Sequence, residues 1–184
     1  MKQFALLSFL ITCLSTFGQI TDTILWRESY KLQWVDFQAT PDENSNTRAR
    51  TAASLFCYPE YKGNGIICKV LCYFERQSSW VQKNHKLDYI LKHEQGHFDL
   101  YEVYARILRK RLSEMKFKRK DLESDLNKMV EKLGKESRAR QKKYDKATGF
   151  AKNEVNQQKW LKKIAEELKE LEQYKNSEIT LSVK

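Results

Sequence analysis

His93-Glu94-Gln95-Gly96-His97 decides the reading of this chain, because it fits the pattern H-E-x-x-H. Two histidines four residues apart lie one helical turn above each other, so both imidazoles can reach a single metal ion from one face. A glutamate beside the first histidine then lies near the metal's open position, where it can take a proton from water made acidic by zinc. The spacing makes His93 and His97 candidate metal ligands, Glu94 a candidate general base, and Zn2+ the expected cofactor. The plain alternative is a pair of histidines on a helix surface.

The flanks of the motif are helical in period. Leu87, Ile90, Leu91, Phe98, Tyr101, Tyr104, Ile107, Leu108 and Leu112 recur at three- and four-residue steps, and Asn84 is the expected N-cap. Ile90, His93, Glu94, His97, Tyr101, Tyr104 and Leu108 share one stripe, so a metal site there would be half buried. Gly96 costs about 1 kcal/mol in helix propensity. Either a close backbone approach beside the metal or simple packing accounts for it.

Before the helix the period is two. Leu32 to Val35, Thr51 to Tyr58 and Ile66 to Phe74 read as strands of a small antiparallel sheet, the last with Ile66, Cys68, Val70, Cys72 and Phe74 on one apolar face. Thr40 to Thr47 is rich in turn formers and reads as an exposed loop. After the motif helix, Asp121 to Tyr144 and a stretch from Asn153 to about Tyr174 read as two further amphipathic helices. The expected class is α+β, a small antiparallel sheet followed by a long H-E-x-x-H helix and two more helices, in the manner of the zincins.

The chain has 184 residues, 41% of them hydrophobic, enough for one ordinary domain. Residues 1–18 read as a secretory signal: Lys2, an apolar run from Phe4 to Leu14, and small residues at Thr16-Phe17-Gly18 for cleavage before Gln19. The expected organisation is therefore a signal at 1–18, one domain over 19–175, and a tail over 176–184 that is either a short strand or disordered. The expected location is secreted or periplasmic. Lipidation at Cys13 is disfavoured by the preceding Thr12, and no later segment is apolar enough to span a membrane. Without the signal, Cys57, Cys68 and Cys72 remain. Cys68 and Cys72 would lie roughly 13 Å apart along one strand, too far to bond each other. An Asn64-Gly65 turn would set Cys57 opposite Cys72, and a longer loop centred on Lys62-Gly63 would set it opposite Cys68. Three buried thiols are the third alternative.

The net charge of +10 is concentrated after residue 105, in runs such as Lys116-Phe117-Lys118-Arg119-Lys120. It favours contact with an anionic envelope surface, although most of these charges alternate with Glu and Asp as on a solvated helix face. There is no recognised nucleic-acid motif.

Leu32-Gln33-Trp34-Val35-Asp36-Phe37, Pro41-Asp42, Ser79-Trp80 and His93 through Leu100 together resemble the bacterial family catalogued as domain of unknown function 922, predicted secreted zinc-dependent proteases. The resemblance covers nearly the whole mature chain. In that family a C-terminal segment reads roughly Y-D-x-E-T-x-H, with a Gln and a Trp farther on. Here it is Tyr144-Asp145-Lys146-Ala147-Thr148-Gly149-Phe150, then Gln157 and Trp160. Tyr, Asp, Thr, Gln and Trp are kept, while the family's Glu is Ala147 and its His is Phe150.

A catalytic zinc needs three protein ligands. The family's downstream His is the natural candidate, and this chain lacks it. The position six residues after His97 is Val103, Asp99 and Glu102 point away from the His93/His97 line, and His85 precedes His93 by about 12 Å along a helix. Asp145 is the best remaining ligand, because it lies in the segment where the family supplies its own. Two functions follow. One is a metallopeptidase acting on a peptide or protein substrate, with extended peptide held along a sheet edge. The other is a non-catalytic relative serving as a cell-envelope binding or interaction module.

Overall fold

The structure, a computed structural model, describes residues 22–184. The expected signal, its cleavage point and Cys13 lie outside the described residues. In chain order the elements are β1 (Thr23–Leu25), β2 (Ala49–Arg50), β3 (Ala53–Lys62), β4 (Gly65–Glu75), β5 (Trp80–Val81), α1 (Asp88–Glu114), β6 (Lys116–Phe117), α2 (Leu122–Thr148), α3 (Glu154–Glu170), β7 (Glu178–Thr180) and β8 (Ser182–Val183). The class is α+β.

β4 is the centre of the main sheet. One edge pairs with β3 along its whole length, and the other is shared end to end by β1 and β7, all antiparallel. Between those two short strands the carbonyl of Val70 would lack a partner. The guanidinium of Arg109 fills the gap, donating from Nη2 and Nε at 2.8 and 3.2 Å. Arg109 is buried with Glu102 and Arg106, and Glu102 accepts from both arginines. Removing Glu102 would leave the buried Arg109 without a counter-charge, a far larger loss than a surface pair gives.

α1 lies between two apolar layers. Ile90, Phe98, Ala105, Leu108 and Leu112 pack on the inner sheet residues Ile66, Cys68, Val70, Cys72 and Phe74. Leu100 and Val103, on its other side, meet Tyr144 of α2 and Ile164 of α3. A helix that serves two cores is buried on more than one stripe, and α1 is. Among the described residues no helix is long and apolar enough to cross a membrane.

Several expectations change in detail. Leu32 to Val35 is not a strand. The Leu32 N–H donates to Gln95 Oε1 at 2.8 Å, and Trp34–Asp36 forms a 3-10 turn because the Asp36 carboxylate accepts from the Gln33 N–H and the Tyr30 hydroxyl, each at 2.8 Å. Asn84 does not cap α1, whose N-cap is Leu87 without a side-chain bond. Turns that close on Gln82 and His85 carry the chain past Asn84 first, and Asp88 supplies the negative charge favourable in a first turn. The second helix runs on to Thr148. Asn153 does cap the third, accepting from the Asn156 N–H at 3.0 Å. The tail is ordered into strands, β7 on β4 and β8 parallel to β6.

The hairpin turn is neither of the two anticipated. Lys62 faces Gly65 across a loop of Gly63 and Asn64, with Gly63 at φ +57°, so Cys57 faces Val70. All three cysteines are free thiols. Cys57 nevertheless reaches diagonally to Cys68, with the sulfurs 3.0 Å apart.

Candidate metal centre

His93, Glu94 and His97 project from α1 toward α2. The stripe of α2 that meets them is Gln141, Tyr144, Asp145 and Thr148, residues three and four apart and hence on one face. His93 Nε2 and His97 Nε2 lie 3.1 Å apart, and Asp145 Oδ1 lies 3.2 Å from the first and 2.8 Å from the second. These three atoms can hold a metal ion. A tetrahedral zinc with bonds of about 2.0–2.1 Å sets neighbouring ligand atoms about 3.3 Å apart, so the triangle is close to the size required. Two imidazole nitrogens and one carboxylate oxygen are also a donor set that zinc accepts.

The outer nitrogens are engaged as metal-binding imidazoles require. His97 Nδ1 donates to Gln141 Oε1 at 2.6 Å, and the same amide donates back to the His97 carbonyl at 3.1 Å. His93 Nδ1 lies 3.4 Å from the Thr148 hydroxyl, which itself donates to the Tyr144 carbonyl at 2.8 Å. Both contacts leave Nε2 as the nitrogen facing the cluster. Tyr144 stacks on His93 at 4.6 Å and meets His97 edge-on at 4.9 Å, fixing both rings.

Gly96 makes this arrangement possible. A Cβ at that position would lie 2.5 Å from the Tyr144 hydroxyl and 2.9 Å from Leu161 of α3. Close approach is therefore the reason for the glycine.

Electrostatics follow from the geometry. Burial disfavours a charged His97, but the hydrogen bond it donates to Asp145 and the charges of Glu94 and Asp145 outweigh it and push its pKa up to about 9. Burial likewise opposes the charge on Asp145, yet hydrogen bonds from His93 and His97 hold its carboxyl well below the usual range. Glu94 is buried beside them, and its Oε2 has no hydrogen-bond partner among the described residues. A buried carboxylate oxygen left unpaired is costly, which fits a group aimed at a reacting molecule rather than at its own fold.

His93, Glu94, His97, Gln141 and Asp145 line an open cleft of about 250 Å³. One wall is β2, whose only strand partner among the described residues is β5, and another is the turn after α2. That turn holds Gly149, Phe150 and Ala151 in succession at φ 57°, 54° and 68°. Two non-glycine residues in the left-handed region are strained, and the strain buries Ala151 while leaving Phe150 43% exposed on the cleft.

His93, Glu94, His97 and Asp145, the site residues expected from sequence, are thus brought together. His85 is not among them, Asp99 instead accepts from Trp26 and Gln95, and Glu102 belongs to the arginine cluster. Sequence reasoning missed Gln141 and the cleft wall at Arg48, Arg50 and Thr51. Gln141 had one available signal, its place one turn before Asp145 on the same helix face.

No match was found among curated proteins or among solved structures. Residues 74–152 match a family model described as bacterial protein of unknown function (DUF922). The matched stretch begins at the end of β4, runs just beyond α2 and contains every side chain of the cluster, so that part of the chain is similar to the family.

Proposed function

We propose that the protein is an exported zinc-dependent peptidase, with the metal held by His93, His97 and Asp145 and with Glu94 as general base. The observation that carries the reading is the triangle of donor atoms, 2.8 to 3.2 Å on its sides, beside the buried Glu94 Oε2, which has no partner among the described residues. When bound, zinc supplies Lewis acidity, which acidifies water and polarises a carbonyl. Glu94 takes a proton from the attacking water and delivers it to the departing amine. Gln141 and Thr148 hold the imidazoles in the tautomer that leaves Nε2 free, and Tyr144 keeps both rings from turning. β2, paired on one edge only among the described residues, offers main-chain groups to an extended peptide. Residues 1–18 support export, and N-terminal sequencing of the exported protein should then begin at Gln19.

One observation favours the second reading, a relative without chemistry: Phe150 stands where the resemblance places a histidine. Zinc affinity by chelator competition separates the two. Tight binding that falls by well over tenfold in Asp145→Ala and is unchanged in Phe150→His is the expected result, together with peptidase activity abolished by Glu94→Gln. Weak zinc that Phe150→His tightens, with no hydrolysis in the wild type, would establish the non-catalytic relative instead.

A further inference from the structure

The cleft carries a second set of charges that metal chemistry does not use. Arg48 and Arg50 lie at alternate positions on either side of Ala49, whose side chain is buried, so strand alternation turns both guanidinium groups to the opposite face. Both residues line the cleft with His93, Glu94 and Asp145. Arg48 is half buried and anchored, its Nη1 donating to the Tyr89 hydroxyl at 2.6 Å, and Arg50 is exposed. Neither meets a carboxylate among the described residues. Arg76, Arg106, Arg109, Arg111 and Arg140 each do. The carboxylates of the cleft itself do not pair with these arginines: Asp145 is bound by two histidines, and Glu94, buried on α1, makes no ion pair with either.

A half-buried guanidinium beside a cleft, without a counter-ion, is a binding group waiting for an anion. Its planar fork matches a carboxylate through two parallel hydrogen bonds, which a lysine would not reproduce. Resting on the peptidase reading above, we propose that Arg48 and Arg50 form an anion subsite that selects peptides bearing a carboxylate near the reacting bond. That carboxylate is either an Asp or Glu side chain or the peptide's own C-terminus. Phe150, exposed on the same cleft, gives the neighbouring part of the peptide an apolar contact.

Binding, not turnover, tests this. Zinc-loaded mature protein carrying Glu94→Gln is titrated with fluorescent peptides of equal length and the anisotropy is followed. The three peptides carry an internal Asp with an amidated end, an internal Asn with an amidated end, and an internal Asn with a free C-terminus. Tighter binding of the first than of the second, by about tenfold or more, identifies a side-chain carboxylate, and the same preference for the third over the second identifies a terminal one. The preference should weaken as salt is raised. It should collapse in Arg50→Gln and, if Arg48→Gln folds, in the double variant, while zinc content stays the same. Arg50→Glu should turn the preference toward a Lys peptide. Equal affinities for all three peptides, or no measurable binding of any, would overturn the subsite. Failure of the peptidase reading looks different: carboxylate-selective binding with no hydrolysis by the zinc-loaded wild type leaves the subsite standing, and hydrolysis without carboxylate preference removes the subsite alone.

Discussion

Three acceptor atoms, His93 Nε2, His97 Nε2 and Asp145 Oδ1, converge to 2.8–3.2 Å only with a proton or a metal cation and its positive charge among them. In the metal-free protein a proton on His97 supplies that charge, and in the metal-bound protein the cation does. The same residues therefore serve as an ion-pair cluster in one state and as a ligand set in the other. Their positions depend on Gly96, because Tyr144, which braces both rings, occupies the space a Cβ would fill. Gly96→Ala should gain about 1 kcal/mol in helix propensity and lose about 1–3 kcal/mol to overpacking, giving a modest net loss of stability. The larger effect should be on zinc, since a displaced Tyr144 frees His93 to turn. Chelator competition should show affinity down by more than the change in melting temperature implies. Tyr144→Phe in the same chain removes the atom in closest contact and should restore part of it, a coupling that a double-mutant cycle measures. Independent, additive effects would show that Tyr144 does not transmit the strain.

At the scale of elements, β3 and β4 carry an unresolved chemical choice in Cys57 and Cys68. Hydrogen bonding from Cys68 lowers the pKa of the Cys57 thiol against the effect of burial, while the same contact and burial push Cys68 up, so Cys57 is the better nucleophile. A small-molecule disulfide should accept two electrons from this pair, becoming two thiols as the protein loses two hydrogens and grows about 2 Da lighter. Non-reducing peptide mapping should find Cys57 joined to Cys68, with Cys72, fully buried, still reduced; a bridge to Cys72 would contradict the register. That register shows where sequence reading stops. The alternation of β4 and the apolar stripe of α1 were legible because each element buries one face against the other. Turn geometry was not, since Asn64-Gly65 and Gly63-Asn64 are both acceptable hairpin pairs, and the choice shifts every facing residue. Leu32 to Val35 looked like a strand because its amide partners, Gln95 and Asp36, are side chains rather than a neighbouring ladder. The site divides in the same way. His93, Glu94 and His97 follow from spacing within one helix, whereas Gln141, Arg48 and Arg50 owe their place to packing between elements distant in sequence.

For the whole molecule the metal would act as a cross-link, because two of its ligands lie on α1 and the third on α2. α1 is also the helix on which both apolar clusters rest, so a tie between α1 and α2 resists global unfolding and not merely local fraying. A ligand that binds only the folded state at about a thousandfold above its Kd adds about 4 kcal/mol. In a chain of this size each kcal/mol shifts the melting temperature by about 2–4 °C, so saturating zinc should raise it by roughly 8–16 °C. A chelator should reverse the gain, and Asp145→Ala should forfeit most of it. The pH dependence has a definite sign. The pKa of His97 is raised to about 9 from an unfolded value near 6.5, so its proton stabilises the metal-free fold fully below about pH 6.5 and progressively less as the pH rises through about 9. Zinc must displace that proton, and its competition with protons eases over the same interval. The metal-free melting temperature should therefore fall between pH 6.5 and 9 from this group, while the increment given by zinc grows. Parallel scanning calorimetry of the metal-free and zinc-loaded protein across that range measures both trends. A zinc increment that stays constant with pH would mean that no proton leaves the cluster when the metal enters, and that His97 is not a ligand.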